Sequence, residues 1–231
     1  MKQNIKVIAF DADDTLWVNE TFFRDAEKVF ATIMKPFAKA DEVYRKLYEV
    51  EMNNMLLYGY GIKGFMLSLI ETANVISNNH VSAQQIGEII EVGKSMLQKP
   101  VELLDGVEQV LKSLQGDYRL IVATKGDLLD QERKLRKSGL LPYFHHIEVM
   151  SDKTPSTYQA LIKHLDIENH ELLMVGNSLK SDILPVLQIG SWGVHVPFHT
   201  TWHHEEVNEP IISDQFYTLG SIIELEELMQ D

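Results

Sequence analysis

Residues Ile5–Trp17 read I-K-V-I-A-F-D-A-D-D-T-L-W, and this stretch limits the possible folds most tightly. The apolar run of Ile5, Val7, Ile8 and Phe10 stops abruptly at three carboxylates, Asp11, Asp13 and Asp14. A run of that length suits a strand buried inside a parallel sheet. Open α/β sheets bind ligands beyond the carboxyl ends of their strands, which is where these acids fall. Close carboxylates repel one another, so the cluster calls for something cationic. An Asp-rich turn or helix cap produces the same local pattern. Only the rest of the chain separates the two readings.

After Trp17 the pattern becomes helical. Thr21–Ala38, Asp41–Tyr58, Lys63–Asn74 and Ala83–Gln98 carry apolar residues three and four apart, as in Phe22, Ala26, Val29, Phe30 and Ile33. Pro36, the run Tyr58-Gly59-Tyr60-Gly61, and Ser77-Asn78-Asn79 ahead of a Ser82 N-cap break them apart. Beyond Pro100 strands and helices alternate. Tyr118–Thr124, His146–Met150, Glu171–Gly176, Trp192–Val196 and Phe216–Leu219 read as strands; Leu128–Ser138, Ser156–Leu165, Lys180–Ile189 and Ser221–Met229 read as helices, with Pro185 inside the third. Such alternation implies an α/β fold: a mainly parallel sheet with helices on both faces. The first strand belongs to that later set. The expected division is therefore a core of residues 1–17 and 101–231, interrupted by a helical insertion over 18–100.

Composition narrows the function. A formal charge of −13 over 231 residues argues against a nucleic-acid binder, which needs clustered Lys and Arg. A small phosphorylated partner stays compatible, since a local cation can override the global field. With no cysteine, a metal would have to be held by oxygen or imidazole. No apolar span reaches membrane length, and the N-terminus passes straight into the strand pattern. These features lead us to expect a cytoplasmic protein without membrane attachment.

Polar residues recur at four strand ends: Asp11 and Asp13; Thr124, Lys125 and Asp127; Lys153; and Asn177, Ser178 and Asp182. The segments D-A-D-D-T (Asp11–Thr15), V-A-T-K-G-D (Val122–Asp127), D-K-T-P (Asp152–Pro155) and V-G-N-S-L-K-S-D-I (Val175–Ile183) resemble, in this order, the haloacid-dehalogenase-like (HAD) superfamily of phosphotransfer hydrolases. The resemblance spans the chain and includes an all-helical cap after the first motif. It implies a Rossmann-like three-layer sandwich with an inserted α-helical cap, and a phosphatase acting on a small phosphorylated metabolite.

A phosphomonoesterase needs a nucleophile for phosphorus and an acid for the leaving oxygen. Two carboxylates separated by one residue, on a turn after a strand, can divide those tasks. The resemblance makes Asp11 the nucleophile that becomes an aspartyl-phosphate, and Asp13 the general acid and then base. It assigns Thr124 and Lys153 to the phosphoryl oxygens, with Lys125 beside them. It further implies Mg²⁺ held by Asp11, the Asp13 carbonyl and a side chain of the fourth motif. Asn177 stands where Asp is commonest, so Asp182 is expected to be the stronger direct ligand, with Asn177 direct or through water. Asp14 and Thr15 are expected to shape the turn. Tyr60 and Lys63, on a glycine-flanked loop of the helical insertion, could meet the leaving group.

Related chemistries share parts of this pattern. A haloacid dehalogenase uses an Asp nucleophile but needs neither Mg²⁺ nor a second Asp at Asp13. A phosphomutase keeps both acids, and a non-catalytic module on this fold would have no need of them. The adjacent histidines His145-His146 and His203-His204 point in different directions on regular elements, which favours surface or packing roles.

Overall fold

The computed structural model describes residues 4–207 and 209–230. Among them the elements run β1 (Val7–Phe10), α1 (Glu20–Met34), α2 (Ala40–Tyr58), α3 (Ile62–Ile76), α4 (Ala83–Gln98), α5 (Val107–Leu114), β2 (Arg119–Lys125), α6 (Leu128–Ser138), β3 (His146–Met150), α7 (Pro155–Leu165), β4 (Leu172–Gly176), α8 (Leu184–Gln188), β5 (Trp192–His195), β6 (Phe216–Thr218) and α9 (Glu224–Leu228). Two compact units result. One holds the described residues up to Glu20, Val101–Lys125 and those from Gln131 onward; the other holds Thr21–Pro100 and Gly126–Asp130. The helical unit thus begins three residues later than the expected residue 18, and it also takes in a short segment that follows β2.

The first unit is built on six strands in the order β3-β2-β1-β4-β5-β6. All five pairings are parallel. Side chains alternate across the sheet, as the period of two requires. Ile8, Phe10, Val122, Leu173 and Val175 pack on one face with Val107, Val110, Leu111 and Leu114 of α5. Val7, Ala9, Ile121, Leu172 and Met174 pack on the other with Tyr158, Leu161, Ile162 and Leu165 of α7. Central strands buried on both faces explain why β1 reads as a continuous apolar run instead of an alternating one. Helix α5 is absent from the sequence reading, although its buried residues follow an i, i+3, i+4, i+7 pattern. With only eight residues, it offers a weak periodic signal.

The chain's exit from the sheet unit and its return lie side by side. Val18 N donates to Glu102 O at 2.9 Å, and Leu104 N donates to Leu16 O at 3.0 Å. The helical unit has its own core, centred on Phe30, Met34, Leu47, Leu69 and Ile89. A capping box at Ser82 and Gln85 starts α4.

The helix expected over Lys180–Ile189 is interrupted. A π-helical turn spans Leu179–Ile183, and α8 follows with Pro185 in its first turn. Pro185 has no N–H to give to Ser181 O four residues back. The hydroxyl of buried Tyr158 donates to that carbonyl instead, at 3.2 Å.

Candidate active site

The sheet register brings the polar strand ends together. Phe10 pairs with Val122 on one side and Val175 on the other, so Asp11 lies one step beyond, between the ends of β2 and β4. Its backbone N–H donates to Val175 O at 2.8 Å. Lys153, the third residue past β3, turns inward, and its side chain is only 1% exposed. Its Nζ lies 2.5 Å from Asp11 Oδ1 and 2.5 Å from Asp182 Oδ1. One ammonium therefore serves two buried carboxylates. Burial pushes the Asp11 carboxyl up to about 7; Lys153 opposes the shift and the charge of Asp182 adds to it. Burial acts against the Lys153 ammonium, but Asp11 and Asp182 outweigh it and hold the lysine charged.

The other oxygen of Asp11, which accepts from Thr15 Oγ1 at 3.4 Å, meets the fourth motif. The Asn177 carboxamide places one head atom 3.3 Å from Asp11 Oδ2, 3.2 Å from the Asp13 carbonyl oxygen and 3.2 Å from Thr15 Oγ1. With nitrogen at that place the amide donates to these groups. With oxygen there, a carboxylate, a carbonyl and a carboxamide oxygen face one another, and a hard cation is what such a set of neutral and anionic oxygens accommodates. The donor chemistry therefore fits Mg²⁺. Among the described residues no group of three or more His, Cys, Asp and Glu side chains could hold a metal. The set around Asn177 differs in using one carboxylate, one backbone carbonyl and one amide.

Asp13 points elsewhere from Asp11. Its Oδ1 accepts from Trp17 Nε1 at 2.8 Å and Lys134 Nζ at 2.6 Å, and its Oδ2 accepts from Gln131 Nε2 at 2.9 Å. Thr124, buried at the end of β2, accepts from the same Gln131 amide at 2.9 Å.

The profile of the haloacid dehalogenase-like hydrolases matches residues 5–190. The chain belongs to that family. A haloacid dehalogenase-like family hydrolase from Xanthomonas campestris superposes with a TM-score of 0.88 at 36% identity, over 98% of this chain and 91% of that one. Pyrimidine 5′-nucleotidase PynA of Streptococcus pneumoniae is 29% identical over 77% of this chain and 78% of its own length. Pyrimidine 5′-nucleotidase YjjG of Escherichia coli is 25% identical over 96% of both.

In this HAD-like hydrolase the two fourth-motif candidates stand differently toward Asp11. Asp182 is 1% exposed, and both of its oxygens are engaged, Oδ1 by Lys153 and Oδ2 by Ser178 N at 3.0 Å. The π-helical turn carries Asp182 back against Gly176, where a Cβ would stand 2.2 Å from Asp182 Oδ2. That close approach requires glycine. Asp182 thus holds Lys153, while Asn177 stands beside Asp11 Oδ2 and the Asp13 carbonyl.

Lys125, expected to face the substrate, is paired with a carboxylate. Its Nζ lies 2.6 Å from Glu205 Oε1 and 2.8 Å from Ser181 Oγ. Burial would raise the Glu205 carboxyl, but Lys125, Ser178 and Ser181 pull it down to about 2. Glu205, partly buried with its side chain 14% exposed, therefore anchors the segment after β5. In the helical unit, exposed Lys63 pairs with Asp127 at 2.9 Å, and Tyr60 is half-buried. Sequence reading passed over Gln131 and Lys134, since a Gln and a Lys on an amphipathic helix are unremarkable. Their spacing of three, which puts them on one helix face, was the available signal.

Asp14 shapes the turn by specific means. It adopts φ 62°, a left-handed conformation that Asp and Asn tolerate better than most residues. Its carboxylate accepts from the N–H groups of Asn19 at 2.8 Å and Glu20 at 2.9 Å. Burial pushes its carboxyl from 3.8 up to about 8, against those two donors. A folded value above the unfolded one means the stabilising contribution is whole below pH 3.8 and is lost as pH rises through about 8. Asp14→Asn keeps the turn conformation and removes the charge. Urea midpoints of this variant, measured across roughly pH 5 to 9, should fall less with rising pH than those of the parent. Parallel curves would contradict the assignment.

Proposed function

We propose that this protein is a Mg²⁺-dependent phosphatase for a small phosphorylated metabolite, with nucleoside 5′-monophosphates as the first substrate class to test. The observation that carries the reading is the shared ammonium of Lys153 on one oxygen of Asp11, with Asn177 and the Asp13 carbonyl on the other. A lone nucleophilic carboxylate would repel a phosphate ester, whereas this one is flanked by a fixed positive charge and an oxygen-lined cation site. The names of the two nucleotidase relatives support the substrate class.

In this reading Asp11 attacks phosphorus and forms an aspartyl-phosphate as the ester P–O bond breaks. Asp13 protonates the departing alcohol oxygen and then takes a proton from the water that hydrolyses the aspartyl-phosphate. Thr124 donates its hydroxyl to a phosphoryl oxygen, and Lys153 offsets charge on the transferring group. Asp11, the Asp13 carbonyl and Asn177 would hold Mg²⁺, which when bound would supply Lewis-acid stabilisation of the phosphoryl oxygens. Asp13 also separates this reading from a dehalogenase, which has no alcohol to protonate.

Purified protein should release phosphate from one or more nucleoside 5′-monophosphates in a panel of phosphorylated metabolites when Mg²⁺ is present. Release should cease with EDTA and return with excess Mg²⁺. Undiminished turnover in EDTA would remove the metal from the reading, and no phosphate release from any panel member would remove the activity.

A further inference from the structure

Three donors from outside the four motifs converge on Asp13: Trp17 Nε1, Lys134 Nζ and Gln131 Nε2. A carboxylate offers about four lone-pair sites, two on each oxygen. Trp17 and Lys134 take the two on Oδ1, and Gln131 takes one of the two on Oδ2. A single site remains, on Oδ2. Gln131 is 2% exposed, and its Nε2 also lies 2.9 Å from Thr124 Oγ1 and 2.7 Å from Lys125 O. Its Oε1 is buried with no partner. Burying half an amide unsatisfied is costly, so a packing role would be better filled by an apolar residue of the same size. The amide's function here is donation. Lys134 reaches Asp13 from the same face of α6 with its side chain only 16% exposed, and it lies 3.4 Å from Asn19 Oδ1.

We propose that Lys134 and Gln131 are positioning residues that fix the rotation of the Asp13 carboxyl, so that Oδ2 is the oxygen that carries the transferred proton. The inference rests on Asp13 being the proton carrier, as assigned above. In the transfer the Oδ2–H bond breaks while an O–H bond forms on the departing alcohol, whose oxygen keeps the electron pair of the P–O bond. The carboxylate left behind faces the Lys134 ammonium. Lys134 acts on the proton transfer through Asp13, while Gln131 also holds Thr124 and so acts through both residues.

The test measures first-turnover release of the leaving group from two esters in saturating Mg²⁺. A nucleoside 5′-monophosphate gives an alkoxide that must be protonated, while 2,4-dinitrophenyl phosphate gives a phenolate that leaves without a proton. Lys134→Met should slow release from the nucleotide by about 10- to 100-fold with little change in KM and leave the dinitrophenyl ester within about twofold, and Gln131→Leu, which also releases Thr124, should slow the nucleotide by at least about tenfold more than the dinitrophenyl ester. Lys134→Arg, which keeps a cation in place, should restore most of the nucleotide rate. Equal losses on both esters, or no loss on either, would overturn the positioning inference. Asp13→Asn is the reference and should discriminate between the esters more strongly than either variant. If Asp13→Asn does not discriminate, the assignment of Asp13 as general acid fails instead, and the two failures are told apart by this one variant.

Discussion

The Asp11→Asn variant is expected to fold, to unfold at a urea concentration no lower than the parent, and to release phosphate at roughly 10⁻⁴ of the parental rate or less. The activity loss follows from the attacking atom, because a carboxamide oxygen is too weak a nucleophile for a phosphate ester. Survival of the fold follows from charge. Asp11, Asp182 and Lys153 together bear two negative charges against one positive when both acids are ionised. The asparagine leaves Lys153 and Asp182 as a balanced pair and can still accept the Lys153 hydrogen bond. Since burial pushes the Asp11 carboxyl up to about 7, the parent gives up stability as pH rises through that value. Without divalent cation, the variant should therefore gain on the parent as pH rises from about 4 to about 7, the range over which the unfolded parent ionises Asp11 while the folded parent keeps it neutral. Turnover within roughly tenfold of the parent would dismiss Asp11 as the nucleophile. A variant that unfolds earlier than the parent at every pH would contradict the charge argument.

What could be read from the chain beforehand was whatever depends on neighbours in sequence. The β1 run and its terminal acids lie within a few residues of each other, and parallel pairing then carries Asp11 to the ends of β2 and β4 without further information. Lys125 lies in the same legible stretch, yet its partner Glu205 is eighty positions further along the chain, in a segment without periodicity. Nothing local distinguishes a lysine that meets phosphate from one that meets a glutamate. Asp182 was legible as an acid near the site but not in its direction. That direction is set by the π-helical turn, by Pro185 and by the absence of a side chain at Gly176. A regular helix would have aimed it differently. The same lack of a local signal hid Gln131 and Lys134, whose importance comes only from what the fold places opposite them.

The Lys153→Met variant should show the largest loss of stability of any single change at the site. Its ammonium is the group bonded to Asp11 Oδ1 and Asp182 Oδ1, and all three side chains are almost wholly excluded from solvent. Taking one partner out of a buried charge cluster leaves carboxylates with no compensating cation, a change that costs about 3–5 kcal/mol. The chain can relieve this only by protonating the acids. Asp11 already has a folded pKa above its unfolded one, and without the lysine nothing opposes that shift, so stability is best at low pH and falls as pH rises. The deficit relative to the parent should thus be larger near pH 8 than near pH 5, whereas loss of an ordinary surface ion pair gives a deficit that is nearly constant over that range. Adding Asp11→Asn to Lys153→Met removes one of the stranded charges and should recover part of the loss at pH 8. Urea unfolding of the two single variants and the double variant, in EDTA at both pH values, measures the coupling directly. Lys153→Met unfolding with the parental midpoint at pH 8 would mean that this ammonium does not hold the two acids together.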